Sequence, residues 1–301
     1  MRVITSAREF SDALEAERAL GRRVGLVPTM GALHAGHRSL VARAAAECDV
    51  VAVTVFVNPL QFDKADDLAR YPRDLAGDVR QATEAGAALV FAPPVQEMYP
   101  GFPAPVATSV HVDAVGDVLE GASRPGHFDG VATVVAKLCS LAGRARVYFG
   151  EKDFQQLAVV RRMAMDLSLP VEIVACGTVR EDDGLALSSR NVRLAGADRG
   201  AAVALHRALG AGLDLIGAGE RDPVRVGAVM EAVLSATDGV VPDYAVAVEA
   251  DTLRAPDVLA GEVRLLVAAT VGPVRLIDNV GVVVCADDLD APAPATAVGV
   301  S

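Results

Sequence analysis

The sequence has no tryptophan, only three lysines among its 28 basic residues, and four cysteines without paired spacing. Cys48, Cys139, Cys176 and Cys285 form no C-x-x-C pair and no zinc-like pattern, so we expect reduced, mostly buried thiols rather than a disulfide framework or a zinc site. The 39 acidic residues outnumber the basic ones and give a formal charge of −11. This charge excludes a protein that binds nucleic acid through a positive surface as a whole.

Signals for export and for membrane insertion are also lacking. Arg2 and Arg8 place charge near the start of the sequence, which leaves no room for the apolar region of a secretory signal. No uncharged run approaches the roughly 18 apolar residues that a membrane span needs. We therefore expect a cytoplasmic protein without a membrane partner.

The 301 residues, 52% of them hydrophobic, exceed what one hydrophobic core usually serves, so two domains are expected. Residues 1–176 alternate between helix-like segments and β-branched, strand-like runs such as residues 49–58. This alternation predicts an α/β domain with a doubly wound, Rossmann-like parallel sheet.

After Cys176 a polar segment precedes two alanine-rich helices, predicted at about 196–219 and 222–238. Three strand-like runs follow, at 241–250, 262–270 and 274–284, and together they predict a smaller α+β domain. The predicted domains are therefore 1–177 and 178–285. Residues 286–301 have little apolar periodicity and are expected to form a flexible tail.

The segment TMGALHAGH, residues 29–37, follows a predicted strand at the edge where open α/β sheets bind ligands. Gly31 and Gly36 allow close approach of the backbone, and a helix that begins near Gly36 offers N–H groups to a phosphate. His34 and His37 could donate hydrogen bonds to phosphate oxygens, or they could be ordinary polar loop residues. A zinc site would need a third ligand, and a P-loop would need a lysine where His37 stands.

Three further polar segments carry side chains suited to a phosphate-rich ligand. In GEKDFQQ, residues 150–156, Lys152 could neutralise phosphate charge and the two glutamines could bind hydroxyl or carboxyl groups. GLALSSRN, residues 184–191, lies at the domain junction, and the long loop at 58–73, with Asp78 after it, follows a predicted strand. Each segment alone could be a helix cap, a linker or a loop, but together they predict one crevice.

These segments resemble the pantothenate synthetase family, whose members are ATP-dependent ligases that join pantoate to β-alanine. PTMGALHAGH is similar to the HxGH element of the nucleotidyltransferase superfamily, and FVNPLQF with YPR is similar to the family's pantoate loop. FGEKDFQQL and LALSSRN resemble the second half of its ATP site. The resemblance extends from about residue 20 to about residue 280, with Ala35 where many members have Glu and Leu187 where many have Met.

The resemblance implies a role for each matched position. The catalytic residues would be His37, His34, Lys152 and Arg190. The residues that contact ATP would be Met30, Gly31, Ala32, Leu33, His34, Ala35, Gly36, His37, Gly150, Glu151, Lys152, Asp153, Val179, Leu187, Ser188, Ser189 and Arg190.

Substrate and metal contacts are implied in the same way. Gln61 and Gln156 would hold pantoate, within the pantoate and β-alanine sites, and Asp78 would help to hold Mg²⁺. The residues placed near the active site by the segment LEGASRPGHF would be Glu120, Arg124 and His127.

By the same resemblance, the substrates would be ATP, (R)-pantoate and β-alanine, and the assembly would be a homodimer. The carboxylate of pantoate would attack ATP to give pantoyl adenylate and pyrophosphate, and β-alanine would then displace AMP to give pantothenate, in coenzyme A biosynthesis. The second domain would act as a lid that excludes water. The alternatives are a nucleotidyltransferase of the same superfamily that acts on another small substrate, and a non-catalytic nucleotide-binding regulator.

Overall fold

The computed structural model describes residues 1–63 and 65–285, so the tail predicted at 286–301 lies outside the described residues. The chain divides into two compact units. The first comprises Met1–Val179 and Leu187–Ser189, and the second comprises Arg180–Ala186 and the described residues from Arg190 onward. This division differs from a single boundary at 177/178, because the chain returns to the first unit for three residues.

The first unit is built on a six-stranded sheet. Its strands are β1 (Arg2–Ile4), β2 (Val24–Thr29), β3 (Val50–Val55), β4 (Leu89–Phe91), β5 (Ala145–Gly150) and β6 (Val171–Cys176). They pair in parallel in the order β1-β4-β3-β2-β5-β6. The predicted doubly wound, Rossmann-like sheet is confirmed.

Helices connect these strands as a parallel sheet requires. They are α1 (Ala7–Ala19), α2 (Ala35–Glu47), α3 (Ala65–Arg70), α4 (Leu75–Glu84), α5 (Val95–Met98), α6 (Glu120–Ser123), α7 (His127–Ala142) and α8 (Phe154–Asp166). Two short 3₁₀ turns, Pro59–Gln61 and Glu151–Asp153, follow the carboxyl ends of β3 and β5. Because all six strands run in one direction, these turns and the loop after β2 lie at the same edge of the sheet.

The central strands explain why the sheet forms here. Leu26 and Val27 on β2, and Val51 and Val53 on β3, are at most 2% exposed, so both faces of the sheet are covered. A continuous β-branched sequence is what a strand buried on both faces needs. Strand β1 has only three residues and pairs with β4, so its own sequence carries no strand signal.

The second unit is a small α+β fold, as predicted. Its helices are α9 (Ala197–Ala201), α10 (Ala204–Gly217) and α11 (Pro223–Ser235), and its strands are β7 (Val240–Glu249), β8 (Gly261–Val271) and β9 (Val274–Val284). The strands pair antiparallel in the order β7-β8-β9. The helix predicted at 196–219 is in fact two helices, α9 and α10.

The core of the second unit lies between its helices and its sheet. Leu209 on α10, Met230 on α11 and Leu265 on β8 are almost fully buried in it. Gly212 permits this close packing, because a Cβ there would lie 2.9 Å from both the Met230 Sδ and the Leu265 Cδ1. Among the described residues, no helix combines the length and the apolar character needed to cross a bilayer.

Candidate active site

The loop between β2 and α2 has an unusual backbone that is held by side chains. Gly31 and Ala32 both have positive φ angles, +83° and +51°. The N–H of Gly31 donates to Thr29 Oγ1 at 3.2 Å, and the N–H groups of Ala32 and Leu33 donate to the two Asp78 carboxylate oxygens at 3.1 and 2.8 Å. Three consecutive backbone donors are therefore satisfied inside the protein, and the loop has one defined shape.

The start of α2 provides donors for an anion. His34 is the N-cap of this helix, and its Nδ1 accepts a hydrogen bond from the N–H of Gly36 at 3.1 Å. In the neutral ring this leaves the proton on Nε2. Within residues 1–63 and 65–285 the backbone N–H groups of Ala35 and His37 have no hydrogen-bond acceptor. Such N–H groups at a helix N-terminus bind phosphates and carboxylates well.

The two histidines of this segment lie against each other, with ring centroids 4.1 Å apart. Burial, followed by the charge of Lys152, lowers the pKa of His34. Burial, followed by the neighbouring His34, lowers the pKa of His37 to about 3. Both imidazoles are therefore neutral near pH 7 in the ligand-free protein. The Nδ1 of His37 is buried and has no hydrogen-bond partner among the described residues.

Lys152 and Asp153, in the 3₁₀ turn after β5, connect this loop with the rest of the site. Lys152 Nζ lies 3.4 Å from Asp153 Oδ1. The carboxylate of Asp153 acts to raise the pKa of His34, of His37 and of His127, against the stronger effect of burial on each. Asp153 is thus a common neighbour of three histidines. The structure therefore brings the polar segments at 29–37 and 150–156, together with His127, to one place.

The two neighbouring glutamines of α8 have different environments. Gln155 is 3% exposed; its Oε1 accepts from the N–H of Glu120 at 3.0 Å, and its Nε2 donates to the carbonyls of Val115 and Val118 at 2.8 and 2.7 Å. Gln155 therefore holds the segment that leads to α6. Gln156 is half-buried, and its side-chain amide makes no hydrogen bond to the described residues, so that amide is available to a ligand.

Gln61, at the end of the first 3₁₀ turn, has its side-chain orientation fixed by a chain of hydrogen bonds. Tyr99 donates its hydroxyl proton to Asn58 Oδ1 at 2.9 Å, and Asn58 Nδ2 donates to Gln61 Oε1 and to the Gly130 carbonyl, each at 3.0 Å. Gln61 Nε2 has no acceptor among the described residues. The Nε2 group of Gln61 therefore offers hydrogen-bond donors to a ligand, which suits a carboxylate or hydroxyl oxygen.

The backbone of Gln61 is held from the other side by the segment before α7. His127 Nδ1 donates to the Gln61 carbonyl at 2.8 Å, and Arg124 donates to the same oxygen at 3.3 Å. Arg124 also donates to His127 Nε2 at 3.2 Å. Burial, with the Arg124 charge second, lowers the pKa of His127 to about 4, so this ring is neutral as well.

The segment after β6 reaches the same edge of the sheet. The N–H of Leu187 donates to the carbonyl of Val179 at 2.9 Å, and the Leu187 Cβ lies 4.0 Å from where a Cβ on Gly36 would be. Ser188 and Ser189 are half-buried residues of the first unit. Arg190 belongs to the second unit and is exposed, so its ATP contact remains a prediction.

Asp78 does not fit the metal role that the resemblance implied. Its side chain is 2% exposed, and each carboxylate oxygen already accepts a backbone N–H. Mg²⁺ needs near-octahedral coordination and usually retains several waters, and this buried position offers no room for them.

Two contacts of the site could not be predicted from the sequence: that of Asp78 with the loop at residues 31–33, and that of Tyr99 with Asn58. In both, the hydrogen-bonded residues are more than 40 positions apart in the chain, so no local pattern indicates them.

The comparison with known families decides between the interpretations of this crevice. A family model described as pantoate-beta-alanine ligase matches residues 2–281. The chain belongs to the pantoate–β-alanine ligase family. Membership confirms the resemblance noted in the motifs, as well as the ligase activity that it implied, and decides against the alternative nucleotidyltransferase.

Relatives of this ligase cover almost the whole chain. The pantothenate synthetase of Moorella thermoacetica is 50% identical over 280 residues, which are 93% of this chain and 97% of that protein. The pantothenate synthetase of Rubrobacter xylanophilus is 51% identical over 282 residues, which are 92% of this chain and 97% of that protein.

Solved structures agree with this membership. The pantothenate synthetase from Thermus thermophilus has a TM-score of 0.86 and 47% identity to this ligase, over 93% of this chain and 99% of that one. The pantoate-beta-alanine ligase from Francisella tularensis, complexed with beta-gamma ATP and β-alanine, has a TM-score of 0.73 and 30% identity, over 93% of this chain and 97% of that one.

Proposed function

We propose that this ligase makes pantothenate from (R)-pantoate and β-alanine through a pantoyl adenylate, with ATP as the activating substrate. One observation carries the proposal. The helix N-terminus of α2, the two neutral histidines and Lys152 form a group of donors and positive charge at the carboxyl edge of the sheet. Such a group suits the phosphates of a nucleotide.

The chemistry requires activation of a carboxylate. A carboxylate does not react with an amine at neutral pH, because its carbonyl is a poor electrophile and oxide is a poor leaving group. In the first step a pantoate carboxylate oxygen forms a bond to the α-phosphorus of ATP, and pyrophosphate leaves. In the second step the amine of β-alanine attacks the acyl carbon, loses a proton, and AMP leaves with the bridging oxygen.

The residues of the crevice have distinct roles in this scheme. The positive charge of Lys152 and the N–H groups at the start of α2 stabilise negative charge on the α-phosphate and on the departing pyrophosphate. His34 donates from Nε2. His37 is neutral in the free enzyme, but the negative charge of a bound phosphate raises its pKa. The ring can then take up a proton and donate it in a hydrogen bond to a phosphate oxygen. Ser188, Ser189 and Arg190 complete the ATP contacts, as the resemblance implies.

Gln61 and Gln156 bind pantoate in the proposal. Gln61 presents the N–H donors of its Nε2, while Asn58 donates to its carbonyl oxygen and fixes the orientation of the amide. Pantoate has a carboxylate and two hydroxyl groups that can accept these hydrogen bonds, whereas the amine of β-alanine must be free to attack. The amide of Gln156 can both donate and accept, so it suits a hydroxyl group.

The proposal includes three further features of the enzyme. Mg²⁺ enters as part of the MgATP substrate, held through the phosphate oxygens, since Asp78 does not fit an ion. A homodimer is the proposed assembly, and the cytoplasm is the proposed location, consistent with the three buried free cysteines of the described chain.

Isotope transfer tests the adenylate. Pantoate labelled with ¹⁸O in its carboxylate is turned over with ATP and β-alanine, and the products are analysed by mass spectrometry. We expect one labelled oxygen on the phosphate of AMP, because the first bond joins that oxygen to the α-phosphorus. Carboxyl-labelled β-alanine is the control and leaves AMP unlabelled. Formation of ADP, or label in inorganic phosphate, would contradict the proposal.

A further inference from the structure

We propose that Asp78 is a positioning residue for ATP, which acts by holding the loop at residues 31–33 in shape and makes no contact with Mg²⁺. The inference rests on the ATP role proposed above for the HxGH segment. It replaces the metal role that the sequence suggested for the same carboxylate, and it gives a buried acid at the active site a defined task.

The backbone of this loop needs such a restraint. Gly31 and Ala32 both have left-handed φ angles, and an alanine there brings its Cβ close to the following carbonyl oxygen. Residues in such conformations persist only where their surroundings fix them. The Asp78 carboxylate accepts one hydrogen bond from Ala32 and one from Leu33, and it leaves no space beside Gly31, where a Cβ would lie 2.7 Å from Oδ2.

The shape of the loop passes directly to the groups that bind ATP. Leu33 is followed by His34, whose ring caps α2 and places its N-terminal N–H groups. If the N–H groups of Ala32 and Leu33 lose their acceptor, the left-handed turn loses its restraint, and His34 with the helix start loses its fixed position. Asp78 thus acts on the nucleotide through the backbone.

Electrostatics favours the same assignment. A buried carboxylate is costly unless hydrogen bonds compensate its charge, and two backbone N–H groups provide that compensation here. The same two bonds occupy both oxygens on the side that faces the loop. With 2% of the residue exposed, no path remains for a hydrated cation to reach the carboxylate.

The test compares Asp78→Asn with the matched variant Asp74→Asn. Asp74 is an exposed acid at the N-cap of the same helix, α4, where it accepts from the N–H of Gly77 at 2.9 Å, and asparagine serves equally well as an N-cap. Asp78→Asn removes the charge and turns one acceptor into a donor that opposes an N–H. Both variants lose one negative charge, but only the first disturbs the loop.

Two measurements separate positioning from metal binding. In the ligand-free, metal-free protein, amide hydrogen exchange at Ala32 and Leu33 should become faster in Asp78→Asn and stay unchanged in Asp74→Asn. The KM for ATP at saturating Mg²⁺ should rise about ten- to a hundred-fold in Asp78→Asn, the loss expected for a charge-assisted hydrogen bond. The free Mg²⁺ concentration that gives half-maximal rate at saturating ATP should stay unchanged.

The opposite pattern would overturn the proposal: a raised Mg²⁺ requirement in Asp78→Asn with unchanged amide exchange and unchanged ATP binding. If Asp78→Asn does not fold, Gly31→Ala tests the same contact, since its Cβ would displace the Asp78 carboxylate. Faster amide hydrogen exchange at Ala32 and weaker ATP binding in this variant support the proposal. Amide exchange and ATP binding equal to those of the wild type refute it. The ¹⁸O experiment on the wild-type enzyme reports on the adenylate pathway independently, so failure of that pathway is distinguishable from failure of the positioning role.

Discussion

At the scale of single residues, burial rather than residue type decides what the histidines can do. His37 and His127 are both held neutral by burial, with pKa values lowered to about 3 and about 4, whereas the exposed His111 has its pKa raised by a hydrogen bond to Asp129. Three histidines in one chain therefore differ in charge in mildly acidic solution. The two neutral ones lie in the candidate active site.

The shifted pKa of His37 makes stability depend on pH. Its pKa in the folded state lies below the unfolded value of 6.5, so acid favours the unfolded chain, and stability is lost as the pH falls from about 6.5 toward 3. The contribution of this group between pH 7 and pH 5 is about 1 to 2 kcal/mol. In ligand-free urea unfolding followed by circular dichroism, His37→Gln should lose less stability over this interval than wild type.

The control for this prediction is His111→Gln. The pKa of His111 is raised in the folded state, so it contributes stability at low pH that is lost as the pH rises, and its replacement should not reduce the acid sensitivity. Equal acid sensitivity of His37→Gln and wild type would show that His37 is not held neutral by the fold.

At the scale of elements, the carboxyl ends of the strands and the turns that follow them build the site. The 3₁₀ turn at Pro59–Gln61 packs on α7 at Gly130, where a Cβ would lie 2.4 Å from the carbonyl oxygen of Leu60. Helix α8 buries Gln155 and leaves Gln156 half-buried. The position of each amide is therefore a consequence of helix packing.

The two glutamines of α8 should respond differently to truncation. Gln155→Ala removes three buried hydrogen bonds, so it should lower the free energy of unfolding by about 2 to 4 kcal/mol. Gln156→Ala should leave stability unchanged and raise the KM for pantoate about ten-fold, with the KM for ATP unchanged. Thermal unfolding and steady-state kinetics on both variants check this. A raised KM for ATP in Gln156→Ala, with pantoate unaffected, would reverse the assignment.

The sequence predicts elements better than it predicts contacts. The pattern ARVYFG delimits β5 at both ends, because a short apolar run is bounded by glycines, and the loop at residues 29–37 is recognisable from its motif. Helix α7 begins at His127, four residues before the continuous apolar run starts at Val131, because its first turn alternates polar residues with Phe128 and Gly130. Contacts such as that of Asp78 with Leu33 have no local signal, since tertiary folding alone brings these residues together.

At the scale of the whole molecule, a strongly acidic protein binds anionic substrates. The net charge of −11 repels ATP and pantoate at long range, so the attraction must come from local donors such as Lys152 and the start of α2. Screening in salt weakens the long-range repulsion more than the short-range contacts of a partly buried site. Neutral donors and backbone N–H groups suit such a molecule, because they bind phosphate without added charge.

Metal dependence belongs to the enzyme and its substrate together. After exhaustive treatment with a chelator, the rate of pantothenate formation should fall to background and return with Mg²⁺ or Mn²⁺, because ATP is bound with its divalent cation. The melting temperature of the ligand-free enzyme should be unaffected by the same treatment, since the proposed role of Asp78 is to hold backbone rather than metal. Full activity without a divalent cation would show that the protein's own groups neutralise the phosphates.

The return of the chain to the first unit at Leu187–Ser189 has a consequence for hybrid enzymes. A chimera that joins two homologous genes at codon 177 takes these three residues from the second parent, although they pack with the first, where Leu187 is hydrogen-bonded to Val179. A clean exchange of the second unit needs three junctions, after residues 179, 186 and 189. Single-crossover recombination therefore mixes the parentage of the proposed nucleotide site, and lineages that inherit both units together avoid this mismatch.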